Sequence, residues 1–187
     1  MIHILPAVIR LPGVFYNFAC MKRILMAIMA AVALCGCIKD RYVGADLKVG
    51  DFLPDFEVVM NDGRLVTDDA LRETVSVVMF FHTSCPDCQK TLPEMQKVYD
   101  GYLQKGVSFA LVSREESEPS IASFWEQKGL QMPYSAQSDR KVYQLFASEL
   151  IPRVYICEKG GKIRYIFTDD PNPSYEDIKS ALEEIIR

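Results

Sequence analysis

The stretch Phe80-Phe81-His82-Thr83-Ser84-Cys85-Pro86-Asp87-Cys88 constrains this chain more than any other. The apolar run Val75 to Phe81 has the character of a strand buried on both faces. It passes straight into Cys-x-x-Cys, and a helical pattern follows. Pro86 suits the first turn of that helix, where its missing N–H costs nothing. Two thiols three positions apart at a helix start can close a small ring and reopen it. Amide dipoles at a helix N-terminus favour a thiolate, here at Cys85. The arrangement implies electron transfer by thiol–disulfide exchange.

Blander readings of the same residues are weaker. A fixed Cys85–Cys88 disulfide would close too small a loop to constrain much chain entropy. A zinc site needs about four ligands, and the sequence offers no second Cys-x-x-Cys and no histidine pair. His82, at a strand end, reads as a hydrogen-bonding residue outside the catalytic pair. Cys157 reads as a small buried hydrophobe. Ile121, Phe124 and Trp125 read as core, and Glu115-Glu116-Ser117-Glu118 as a solvated loop able to steer a basic partner.

Charge is unevenly placed along the 187 residues. Of 21 basic and 25 acidic residues, residues 1–37 hold three basic and no acidic ones, leaving 18 against 25 and a net charge of −7 for the remainder. So acidic a domain repels phosphates, which excludes nucleic acid as a partner. Met21-Lys22-Arg23 and the apolar Ile24 to Leu34 form a basic head and a hydrophobic segment. That segment is too short to span a membrane and suits a secretory signal. Leu34-Cys35-Gly36-Cys37 follows and resembles the bacterial lipobox, with Cys37 after the small Gly36 as the lipidated residue. Residues 1–36 therefore read as a signal region, with Met21 as an alternative start. Residues 37–48 read as a lipidated N-terminus and tether, and 49–187 as the folded domain. A lipid anchor would hold that domain in the bacterial cell envelope on the periplasmic side, at either the inner or the outer membrane. Disulfide chemistry is available there.

Along the domain, strands are expected at Glu57 to Met60, Val75 to Phe81 and Val107 to Ser113. Val154 to Cys157 and Lys162 to Phe167 should form a hairpin around Lys159-Gly160-Gly161. Asn61-Asp62-Gly63 signals a turn. The helix after Cys85 should reach about Gln104, kinked at Pro93. Further helices are expected over Pro119 to Lys128, closed by Gly129, and over Asp139 to Ala147. A terminal helix should open on a Ser174/Asp177 capping box. This order predicts an α/β fold, a central mixed sheet with helices on both faces.

With Cys85-Pro86-Asp87-Cys88 at a strand-to-helix turn and Ile151-Pro152 before the hairpin, the chain resembles thioredoxin-fold proteins. More narrowly, it resembles the membrane-anchored TlpA/ResA type within the redoxin superfamily. Gly50-Asp51-Phe52-Leu53-Pro54-Asp55-Phe56, the Asp62-Gly63-Arg64 turn and Pro93 also match. The resemblance implies that Cys85 attacks a partner disulfide and that Cys88 resolves the mixed disulfide, with no cofactor beyond the redox-active pair. It implies a cis bond before Pro152, and a substrate-binding surface formed by Ile151, Pro152 and Pro86. It further implies disulfide-bearing extracytoplasmic partners, a membrane thiol electron donor and attachment to the bilayer through the anchor. The family's buried carboxylate positions hold Met79 and Thr91 here, and Ser84 and Arg153 replace an aromatic and a threonine. Asp87 should oppose a thiolate at Cys85, and Arg153 should favour one if it reaches the sulfurs.

Two other functions fit the same fold. One is a peroxiredoxin-like peroxidase with Cys85 as peroxidatic thiol, although His82 and Val78 stand where that signature has Thr or Ser and Pro. The other is a non-catalytic binding module of a surface complex.

Overall fold

The structure, a computed structural model, describes residues 46–187. Cys37, Cys35, the signal segment and most of the tether lie outside the described residues. Among the described residues, no helix is long and apolar enough to cross a membrane.

The central strand β3 (Ser76–Phe81) is buried along its whole length. It pairs in parallel with β4 (Ser108–Ser113) and antiparallel with β5 (Arg153–Cys157), which in turn pairs antiparallel with β6 (Ile163–Phe167). The sheet order is therefore β4-β3-β5-β6. Adjacent side chains of a strand point to opposite faces, and the core reflects this. Phe80 packs on Tyr143 and Phe146, whereas Phe81 packs on Trp125. Both faces of the sheet are thereby covered. Ile121, Phe124 and Trp125 lie in the core, as the sequence predicts.

Helix α2 (Pro86–Tyr102) follows β3 and runs on through Pro93. Cys88, Leu92, Met95, Val98 and Tyr102 form its buried stripe, at the spacing of a core-facing helix. Tyr99 is half-buried and meets Phe109 edge-on. Helix α3 (Glu118–Lys128) ends at Gly129, whose φ of 63° closes it in the left-handed conformation. The terminal helix α5 (Tyr175–Ile186) opens on the Ser174/Asp177 capping box.

Four local features differ from the sequence reading. The Asn61-Asp62-Gly63 turn joins two strands, β1 (Glu57–Val59) and β2 (Leu65–Thr67), into a separate antiparallel ribbon. β1 matches the strand expected over Glu57 to Met60, whereas β2 was not expected, since it buries only its central valine and leaves little pattern to detect. A one-turn-and-a-half helix, α1 (Asp68–Arg72), follows directly, capped by the Thr67 hydroxyl accepting from the Ala70 N–H. The region expected as a helix over Asp139 to Ala147 holds only α4 (Lys141–Gln144). The chain before Val49 does not leave the domain at once. Leu47 is buried and its N–H donates to the Phe146 carbonyl at 2.9 Å.

Candidate active site

The register of the sheet assembles the site. Arg153 lies across from Phe80, so the chain entering β5 stands beside the chain leaving β3. The parallel β3–β4 pair likewise brings the loops after both strands to one edge, and the Arg114 N–H donates to the Phe81 carbonyl at 2.8 Å.

At that edge the chain turns through His82, Thr83 and Ser84 into α2, with Cys85 as the N-cap residue. The Cys88 N–H points at the Cys85 sulfur from 3.5 Å, and the Cys85 thiol donates to the Ile151 carbonyl, also at 3.5 Å. Cys85 is half-buried, Cys88 is wholly buried, and both are thiols. Burial pushes the Cys88 thiol far up, and the neighbouring Cys85 adds to this. A backbone hydrogen bond from His82 and the Arg114 charge pull the other way without offsetting it. Pro86 is exposed beside Cys85. Pro152 is buried and follows a cis peptide bond from Ile151.

Thr83 anchors the turn. Its N–H donates to Glu116 at 2.8 Å, its hydroxyl donates to the same carboxylate, and its carbonyl accepts from the Gln89 side chain at 2.8 Å. Glu116 is only 9% exposed. The acidic run is therefore not all solvated, and one of its members is a buried strut beneath the motif. Glu115 instead pairs with Arg140. The sequence alone cannot separate these two, because the run carries no periodicity. His82 Nδ1 accepts from the Ser84 N–H at 3.2 Å and lies 2.9 Å from the Ser84 hydroxyl.

The two charges expected to bias Cys85 are both engaged elsewhere. Lys90 and then Asn172 hydrogen-bond the Asp87 carboxylate and hold its pKa below the usual range. The Arg153 guanidinium does not turn to the sulfurs. It donates to Asp46 at 2.8 Å. Met79 and Thr91 are buried with no carboxylate in their place, and the Thr91 hydroxyl donates to the Asp87 carbonyl at 3.0 Å. Cys157 pairs across from Ser76, at the far end of β3 from Cys85. Burial pushes its thiol up to about 12.

The segment before β5 forms the opposing wall. The Tyr143 hydroxyl donates to the Leu150 carbonyl at 2.8 Å. The Ser148 N–H and hydroxyl both donate to Asp46, at 2.7 and 2.8 Å. Tyr143, Asp46 and Leu150 carry no signal in the sequence that marks them as neighbours of the pair, since their proximity arises from tertiary pairing.

This geometry places an accessible thiol, a buried thiol behind it and a backbone carbonyl opposite on one surface, an arrangement suited to thiol–disulfide exchange. Comparison with known proteins agrees. A family model described as the AhpC/TSA family matches residues 49–166. The thiol-disulfide oxidoreductase ResA of Bacillus cereus is 26% identical over 148 residues, covering 76% of this chain and 86% of that protein. ResA of Geobacillus thermodenitrificans is 28% identical over 137 residues, covering 73% and 78%. A thiol:disulfide interchange protein of the thioredoxin family from Chlorobium tepidum shares the fold with a TM-score of 0.64 at 20% identity, covering 76% of this chain and 100% of that chain. StoA from Bacillus subtilis does so with a TM-score of 0.60 at 19% identity, covering 68% and 96%. The chain belongs to the AhpC/TSA family, and within it is a thioredoxin-fold thiol–disulfide oxidoreductase of the ResA type.

Proposed function

We propose that Cys85 and Cys88 form the dithiol of an extracytoplasmic reductant, anchored to the cell envelope by a lipid on Cys37, that reduces disulfides of partner proteins. One observation carries the assignment of roles: the Cys85 sulfur is partly open and held between the Ile151 carbonyl and the Cys88 N–H, while Cys88 is closed off behind it.

The Cys85 thiolate attacks one sulfur of a partner disulfide. That S–S bond breaks, a mixed disulfide forms, and the partner's other sulfur leaves as a thiolate. Cys88, which burial holds as a thiol, must then give up its proton to water, from which the partner's departing thiolate takes one up. Cys88 then attacks the Cys85 sulfur, the mixed disulfide breaks, and the partner departs with both of its sulfurs reduced. Two electrons have passed and a Cys85–Cys88 disulfide remains. A membrane thiol donor would restore the dithiol. Ile151 and Pro152 form the wall beside the attacked bond, and Pro86 borders Cys85 on the solvent side.

The test is partner trapping in the full-length protein. Cys88→Ser should accumulate mixed disulfides through Cys85, and Cys85→Ser should abolish both trapping and disulfide reduction. Reduction that survives in Cys85→Ser, or turnover of hydrogen peroxide in place of disulfides, would overturn the assignment. Metabolic labelling with a fatty acid that is lost in Cys37→Ala tests the anchor.

A further inference from the structure

The arch leading into β5 carries an exposed side chain where the backbone least favours one. Leu150 has a φ of +70°, and it is 50% exposed. That left-handed region suits glycine or asparagine, and a leucine there is strained. Burial in the core can offset such strain, but this side chain is half in solvent. Strain of this kind, unused by the fold, gathers at functional sites.

The arch is also held rigid from both sides. The Tyr143 hydroxyl fixes the Leu150 carbonyl, while Ser148 before the arch and Arg153 after it converge on Asp46. The next residue, Ile151, sets its carbonyl 3.5 Å from the Cys85 sulfur. An apolar group is thus presented, preorganised, one residue from the group that touches the reactive atom. Rigid presentation lowers the ordering cost of a contact made on binding.

We propose that Leu150 is a specificity-determining residue, packing against an apolar side chain that flanks the cysteine under attack in the partner. The inference rests on Cys85 as the attacking thiol.

The test uses the dithiol protein and three disulfides: bare dithiobis(nitrobenzoate), and two short peptides whose single cysteine carries a thionitrobenzoate mixed disulfide. Leucine flanks the cysteine in one peptide and asparagine in the other. Cys85 attacks the peptide sulfur and expels coloured thionitrobenzoate. Cys88 then attacks Cys85 and frees the peptide thiol. The wild type should react about tenfold faster with the leucine peptide, as expected for one apolar side chain. Leu150→Gly and Leu150→Asn suit the local backbone and should fold. Both should reduce that preference to about twofold or less with little change toward the bare aryl disulfide, whereas Leu150→Met should keep it. Equal rates for the two peptides in the wild type, or a preference that survives in both the glycine and asparagine variants, would overturn the proposal while leaving the role of Cys85 intact. Failure to reduce the bare aryl disulfide would overturn both.

Discussion

Glu116 shows how much one side chain in this site depends on context. Its carboxylate takes both polar donors of Thr83, two residues before Cys85, in a buried setting. Truncation would leave a backbone N–H and a hydroxyl without partners, at a cost of about 1–3 kcal/mol. We expect Glu116→Ala to lower the free energy of unfolding in urea by that amount, read as a lower midpoint at unchanged slope, and Glu116→Gln, which keeps one acceptor, to lower it less. Equal stability of Glu116→Ala and the wild type would mean that the strut carries no load. The place of Cys85 and Cys88 at a helix start was legible from sequence because strand, turn and helix start follow one another in a continuous run. Glu116 was not legible. Its burial comes from the parallel pairing of β3 and β4, which sets their two following loops side by side, and that pairing leaves no mark within Glu115-Glu116-Ser117-Glu118 itself.

Among elements, those with strong terminal signals were the readable ones: Gly129 closing α3, Ser174 and Asp177 opening α5, the unbroken apolar run of β3. Strand β1 and the turn after it were readable, but their partner β2 escaped, because a three-residue strand that buries one valine does not establish an alternation. The β5–β6 hairpin turn carries a tighter requirement than its sequence suggests. Gly161 has a φ of +80°, and a Cβ there would come within 2.6 Å of the Arg72 Cγ. Arg72 cannot swing aside cheaply, since its guanidinium donates to the Leu53 carbonyl at 2.6 Å and pairs with Asp68 at 2.9 Å. Gly161→Ala therefore meets both a strained backbone and a fixed neighbour. We expect a loss of about 1–3 kcal/mol, read by chemical denaturation. Gly160→Ala, which also has a positive φ but opens onto empty space, should cost less.

At the scale of the whole molecule, Asp46 joins the start of the described chain to a segment about a hundred residues later, and that segment forms the wall facing Cys85. The carboxylate opposes its own desolvation with hydrogen bonds from Ser148 and Arg153, which bring its pKa from 3.8 down to about 2. A depressed folded-state value means that the unfolded chain binds the extra proton first. The contribution is therefore full above about pH 4 and lost as pH falls through about 2. Solvent reaches the pair, since the Asp46 side chain is 37% exposed, so its discounted worth is at most about 1 kcal/mol. Asp46→Asn can still accept from Ser148 but loses both the charge and the second acceptor that face Arg153. We expect its melting temperature to lie about 2–4 °C below wild type at neutral pH, and the gap to close on acidification across that window. A gap that stays constant down to the acid limit would show that the Asp46 charge does not secure the N-terminal segment to the active-site wall.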